Sequence, residues 1–143
     1  MRQCAIIYWS GTGNTETMAG CIAQGVREAG ADAVLLAPSE VSAAGIDGFD
    51  TVAFGCPAMG AEVLEEAEFE PMFAALEGSL HGRKIALFGS YGWGDGQWMR
   101  DWCDRCRQAG ASLVRDEGLI ANGEPDEAAQ EACRDLGKEL ASL

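Results

Sequence analysis

Short apolar segments alternate with longer segments of helical periodicity along most of the chain. Buried strands are predicted at five apolar runs: Cys4 to Trp9, Ala33 to Leu36, Thr51 to Phe54, Ile85 to Phe88 and Ser112 to Val114, the last with a weaker extension through Leu119 to Ala121. Helices are predicted between and after these runs at Asn14 to Ala29, Pro71 to Glu77, Gln97 to Ala109 and Asp126 to Ala141. The segment from Ala37 to Asp50 is predicted to be a loop with a helical turn.

This alternation of strand and helix predicts an α/β fold. Parallel strands joined by right-handed helical crossovers form a sheet with helices on both faces, which is a doubly wound arrangement. The chain has 143 residues, of which 48% are apolar, and this is enough to build a substantial core. We therefore expect one domain over residues 1–143.

The charge balance limits the classes of partner that the protein is expected to bind. Lys and Arg number 10 against 23 Asp and Glu, which gives a net charge of -13 and argues against nucleic acid or an anionic membrane. Basic docking surfaces of partner proteins are the expected match. The first apolar run is too short for a signal peptide and no run is long enough to span a membrane. We expect a cytoplasmic monomer whose six cysteines are reduced thiols.

The first predicted strand ends in the sequence SGTGNT, Ser10 to Thr15, called the first loop below. Amides at a helix start, a glycine-rich bend and the hydroxyls of Ser10, Thr12 and Thr15 favour an anion, with Asn14 as a further donor. The loop lacks the lysine and the spacing of a nucleoside triphosphate loop. A monophosphate is the expected ligand.

Two further strands end in loops of small or aromatic residues. The second loop is GCPAMGAE, Gly55 to Glu62, and the third loop is GSYGWGDG, Gly89 to Gly96. Trp93, flanked by glycines, is expected to stack on a flat group, and Met59 offers a polarisable face from the second loop. A phosphate at one end and a planar ring at the other describe flavin mononucleotide (FMN).

The motifs SGTGNT, GCPAMG and FGSYGWGDG resemble, in this order and spacing, those of the short-chain flavodoxins. The resemblance spans the whole chain and implies a five-stranded sheet of order 2-1-3-4-5, with the flavin between strands one and three. The implied cofactor-binding residues are Ser10, Gly11, Thr12, Gly13, Asn14, Thr15, Cys56, Pro57, Ala58, Met59, Gly60, Ala61, Glu62, Ser90, Tyr91, Gly92, Trp93 and Gly94.

The same resemblance implies a role for several of these residues. Trp93 would stack on the outer face of the ring, Met59 would lie on its inner side, and the Glu62 carboxylate would accept from the flavin N(3) hydrogen. The amides of Gly92 and Trp93 would bind the pyrimidine carbonyl oxygen. Pro57 stands where some members have a phosphate-binding serine, so the phosphate contacts would depend more on the first loop.

The peptide between Gly60 and Ala61 matches the family's redox switch, a peptide that flips on reduction. Glycine at the first central position suits a type II′ turn, whereas the flipped type II turn needs a positive φ at Ala61. This costs alanine roughly 1 kcal/mol more than glycine. We therefore expect a semiquinone somewhat less stable than in members with glycine at this position.

The function implied is that of a low-potential one-electron carrier cycling between semiquinone and hydroquinone, with no catalytic residues and no metal. From Glu28 to Gly82 the chain has eleven acidic residues and no Lys or Arg, and their negative charge is expected to lower the potential and to steer basic partners. The alternative explanation for these acidic residues is a solvated acidic surface that keeps the protein soluble. A flavin-dependent NAD(P)H reductase of the same fold is the alternative function.

The WCDRC sequence lies inside a predicted helix and is not interpreted as a reactive dithiol.

Overall fold

The computed structural model describes residues 2–42, 44–60 and 62–143. Within these residues the regular elements are β1 Gln3–Tyr8, α1 Asn14–Glu28, β2 Asp32–Leu36, β3 Thr51–Gly55, α2 Phe69–Leu76, β4 Lys84–Tyr91, α3 Gln97–Gln108, β5 Ser112–Leu113, β6 Leu119–Asn122 and α4 Glu127–Ala141. Short 3-10 turns lie at Pro38–Glu40, Gly45–Gly48 and Glu77–Ser79. The predicted helical turn before β3 is therefore present as two 3-10 turns.

The sheet is parallel, and its order β2-β1-β3-β4-β5 confirms the predicted topology. The predicted last strand and its weak extension are two separate strands, because residues 114–118 leave the sheet. β5 pairs with the start of β4, at Lys84 and Ile85. β6 pairs with its end, from Phe88 to Tyr91. Both therefore lie beside the same strand.

β4 is longer than its apolar run predicted. It continues through Gly89, Ser90 and Tyr91 because β6 supplies parallel partners there. The first residues of the third loop are thus held in the sheet, so they have a fixed position at its edge. Glycine at position 89 is required by packing, since a Cβ there would overlap the carbonyl oxygen of Cys56.

Two apolar layers cover the sheet. One lies under α2 and α3 and includes Phe54, Phe73 and Trp102. The other lies under α1 and α4. These two helices approach backbone to backbone at Gly25 and Gly137, where an added Cβ would overlap the carbonyl oxygens of Arg134 and Ile22 respectively. No helix in the described part of the chain is long and apolar enough to cross a bilayer.

Candidate functional site

A cleft of about 310 Å³ opens where β1, β3 and β4 end. The first, second and third loops all contribute to its wall, as expected for strands that end at the same edge of a parallel sheet. Nine of the predicted site residues line it: Gly11, Thr12, Asn14, Pro57, Ala58, Met59, Ser90, Tyr91 and Gly92. Trp9 and Gly123 also line it, and sequence reasoning had not placed either of them in the site.

The first loop is shaped by Ser10. Its Oγ accepts hydrogen bonds from the backbone amides of Gly13 and Glu16, both at 3.2 Å. Gly13 has a φ of 97° and immediately precedes α1, so the chain turns sharply into the helix at a position that glycine occupies easily. Thr12 and Asn14 line the cleft beside the start of α1, where the helix dipole favours an anion, and no lysine or arginine is among the described lining residues.

Thr15, the last residue of the first loop, does not line the cleft. It is buried, and its Oγ1 is 3.0 Å from the Oγ of Ser90, where either hydroxyl can donate. The Ser90 amide also donates to Thr15 Oγ1 at 3.4 Å. This pair joins the first loop to the third from below, so the two loops have a fixed separation.

Cys56 forms the base of the second loop. Its Sγ accepts from the Glu65 amide at 3.3 Å, and its carbonyl oxygen accepts from the Trp98 indole at 3.2 Å. Burial raises the pKa of the Cys56 thiol to about 12, so the thiol stays protonated and unreactive. Cys56 therefore supports the cleft from within the core.

Two backbone hydrogen bonds join described residues at the tip of the second loop. The Glu62 amide donates to the carbonyl oxygen of Met59 at 2.7 Å, and the Met59 amide donates to the carbonyl oxygen of Val63 at 2.9 Å. Gly60 does not have the left-handed φ that a type II′ turn needs at its first central residue. Ala61, and with it the expected switch peptide, lies outside the described residues.

Glu62 directs one carboxylate oxygen into a buried position. Its Oε1 has no hydrogen-bond partner in the described part of the chain. The oxygen lies against Gly94, where an added Cβ would overlap it and where the φ is 88°. Trp93, the next residue along, is 64% exposed and does not fold back onto the core. A buried carboxylate oxygen is costly without a donor, so this corner fits a ligand that brings an N–H group.

The acidic residues after the second loop have specific structural partners. Glu65 is buried, and its carboxylate accepts from the amides of Ala67, Glu68 and Phe69, each at 2.8 Å. Burial alone would raise the pKa of Glu65, but these hydrogen bonds, the strongest from Phe69, hold it below its usual range. They also explain why α2 begins at Phe69, two residues before the predicted start at Pro71.

Two more of these carboxylates bind side chains from distant parts of the sequence. Glu68 accepts from the Trp9 indole at 2.8 Å. Glu70 receives both terminal nitrogens of Arg105 at 2.7 Å, and Arg105 also holds Glu77. The hydrogen bonds to Glu77 and Glu70 raise the pKa of Arg105, so it remains charged. The acidic segment is thus partly neutralised, which its sequence does not reveal because Arg105 lies in α3.

Cys103 and Cys106, the cysteines of the WCDRC sequence, are buried in α3. Burial raises the pKa of both thiols, that of Cys106 to about 12. Neither lines the cleft. Buried thiols with raised pKa values form little of the reactive thiolate. Within the described residues no group of three or more His, Cys, Asp or Glu side chains is arranged to hold a metal ion.

The family model, the related sequences and the solved structures that match this chain all indicate the same family. The family model described as Flavodoxin matches residues 6–137. The chain is 49% identical over 138 residues to a flavodoxin of Clostridium beijerinckii, covering 96% of this chain and 99% of that protein. It is 43% identical to a flavodoxin of Megasphaera elsdenii over 95% and 96% of the two chains. The solution structure of the two-electron reduced Megasphaera elsdenii flavodoxin superposes with a TM-score of 0.90 over 98% of this chain and 99% of that one.

Proposed function

Since this chain belongs to the flavodoxin family of flavin-containing electron carriers, we propose that it binds FMN without a covalent bond and transfers single electrons at low potential. The observation that carries the proposal is the meeting of three loops at one cleft lined by neutral donors, together with the Glu62 oxygen that has no described partner and lies against Gly94 of the third loop. Bound flavin supplies the electron-transfer chemistry, and the protein residues set its affinity and potential.

The first loop would hold the phosphate. Thr12 and Asn14 line the cleft, and the amides at the start of α1 attract an anion through their partial positive charge. Pro57 in the second loop offers no hydroxyl and no amide hydrogen. Phosphate binding would therefore depend on neutral donors from the first loop, which suits an anion with two charges without requiring a cation.

The second and third loops would hold the ring. Trp93 is exposed and follows Gly92, which lines the cleft, so its indole is free to cover the outer face of a planar group, while Met59 lines the cleft from the second loop. Glu62 would accept a hydrogen bond from the ring N–H, which satisfies the oxygen that has no protein partner. One edge of the ring would remain accessible to partner proteins.

A low potential follows from negative charge near the ring. At about 10 Å and an effective dielectric constant near 40, one carboxylate raises the energy of an added electron by about 0.8 kcal/mol. Arg105 offsets one of the two negative charges of Glu70 and Glu77, so these two carboxylates contribute less to this field than their number in the sequence suggests. We infer that Glu62, which has no described cationic partner, and the overall charge of -13 contribute most to it. The same charge would favour partners with basic docking surfaces.

The proposal is tested with apoprotein and added flavins. We expect FMN to bind more tightly than riboflavin, with quenched fluorescence because the ring stacks on Trp93. Reductive titration should then show two separate one-electron steps, the second at low potential. NADH or NADPH alone should not reduce the bound flavin. Failure to bind FMN contradicts the proposal, and rapid reduction by either nicotinamide supports the reductase alternative.

A further inference from the structure

We propose that Trp9 and Glu68 are positioning residues for the cofactor. Their hydrogen bond fixes the first loop relative to the second, so that the phosphate end and the ring end of one ligand are held at matched positions. This inference rests on the proposed binding of FMN. It assigns a role to two residues that lie outside the loop motifs and outside the predicted set of binding residues.

Trp9 contacts both loops. Its indole packs on Gly11, where an added Cβ would lie 3.0 Å from Cη2 and 3.3 Å from Cζ3. Its backbone amide donates to the carbonyl oxygen of Gly55, the first residue of the second loop, at 3.1 Å. A displacement of the indole would therefore remove its contact with the backbone of the first loop at Gly11.

Glu68 is an anchored acceptor, although its side chain lies at the surface. Its backbone amide donates to the Glu65 carboxylate at 2.8 Å, and the Glu65 amide donates to the Cys56 thiol at 3.3 Å. The position of Glu68 is thus tied to the base of the second loop. The 2.8 Å bond from Trp9 Nε1 to Glu68 Oε2 completes a continuous series of contacts from Gly11 to Cys56.

The hydrogen bond matters because packing covers only part of the indole. Trp9 is half-buried against the core layer under α2 and α3, and it also lines both the cleft at the strand ends and a second cleft of about 320 Å³. The second cleft is also lined by Glu16, Glu40 and Glu68. Because part of the indole adjoins these two clefts, core packing does not enclose the whole ring, and the bond to Glu68 holds its polar edge in one orientation. An unoriented Trp9 would leave the first loop without its support under Gly11.

The test compares FMN with riboflavin, which has the ring and lacks the phosphate. The quantity measured is the ratio of their dissociation constants in the wild type and in Trp9→Phe, Glu68→Met and the double variant. We expect the preference for FMN to fall about tenfold in each single variant, the effect of losing one hydrogen bond to a charged group. The double variant should show no further fall, because each change removes the same bond.

Two further variants separate the hydrogen bond from the charge. Glu66→Met removes a carboxylate from the same segment, and Glu66 is exposed and has no side-chain hydrogen bond among the described residues. It should retain the FMN preference of the wild type. Glu68→Gln removes the charge and keeps an oxygen that accepts from the indole, so it should also retain most of this preference.

Several results would overturn the inference. An unchanged ratio in Trp9→Phe and Glu68→Met, equal losses for FMN and riboflavin, or an equal effect of Glu66→Met would each contradict the positioning role. Urea unfolding of every apoprotein shows whether a variant is folded, and if Trp9→Phe is not, the surface variants at Glu68 decide the question. A wild-type protein that fails to bind FMN contradicts the proposed function itself, which is a separate result.

Discussion

The substitution Gly94→Ala offers a direct test of the ring-binding corner. Position 94 has a φ of 88°, and a Cβ there would overlap the buried Oε1 of Glu62. The new methyl group must therefore displace the carboxylate from the position in which we propose that it accepts from the flavin. The loop carrying Trp93 and the loop carrying Glu62 are both affected by this single change.

The expected magnitude has two parts. A left-handed conformation costs an alanine about 1–2 kcal/mol relative to glycine, which lowers the free energy of unfolding whether or not flavin binds. Displacing the carboxylate removes a hydrogen bond to a charged group, which has a strength of about 1.5–3 kcal/mol. Affinity for FMN should thus fall roughly ten- to hundredfold beyond any change in stability.

The assay pairs urea unfolding of the apoprotein with fluorimetric titration of FMN. Gly30→Ala is the control for backbone strain, because Gly30 has a φ of 90° and an added Cβ there meets no atom within 4 Å. It should lower stability without changing FMN affinity. The double variant Glu62→Ala with Gly94→Ala removes the overlap, so it should bind FMN no more weakly than Glu62→Ala alone.

The reasoning is refuted if Gly94→Ala binds FMN as tightly as the wild type while it loses stability to the same extent as Gly30→Ala. That result would mean that the Glu62 oxygen does not contact the ligand. It would also be refuted if Gly94→Ala weakened binding equally with and without Glu62, since the effect would then pass through another part of the third loop.

Three further predictions concern the scaffold, each measured by urea unfolding. Glu65→Gln should lower stability by roughly 1–3 kcal/mol at neutral pH. Folding lowers the pKa of Glu65, so the ionised carboxylate stabilises the fold above the ordinary glutamate pKa of about 4.3. This stabilisation is lost as the pH falls through the pKa of the folded protein. A Glu65→Gln variant that is destabilised as much in acid as at neutral pH would contradict this role. Arg105→Met should cost about 1–2 kcal/mol after allowance for its partial exposure, and Arg107→Met, whose ion pair is exposed, should cost less. Gly25→Ala should destabilise by about 1–3 kcal/mol through overlap with α4, whereas Gly20→Ala in the same helix, where a Cβ meets nothing, should stabilise by about 0.5–1 kcal/mol.

Much of the fold was predictable because its signals are local. Apolar runs of strand length, helical periodicity and glycine-rich ends each depend on neighbouring residues, and they indicated the parallel sheet and the edge at which the cleft lies. The lengths of β4 and of the last strand were predicted less well, since β4 is extended by pairing with β6 across about thirty positions of sequence. Pairing of that kind leaves no local periodic signal.

The chemistry of the loops was likewise apparent in the sequence. Small hydroxyl residues and glycines at a strand end indicate a phosphate site wherever they occur, because their donors belong to the backbone and to short side chains. Trp93 was expected to stand clear of the core, and the structure shows it exposed. The expected roles of these residues depend on their own loop and not on partners from distant parts of the sequence.

The acidic segment was interpreted less completely, because charge in a sequence carries no information about partners. Glu65, Glu68 and Glu70 lie close together in the sequence, but in the fold they bind different groups: backbone amides, the indole of Trp9 after β1 and a guanidinium from α3. Only the tertiary structure brings such partners within hydrogen-bond distance. The sequence alone therefore determined which groups this protein carries at its site, and the fold decided which of their charges are already satisfied and which, like that of Glu62, remain available to a ligand.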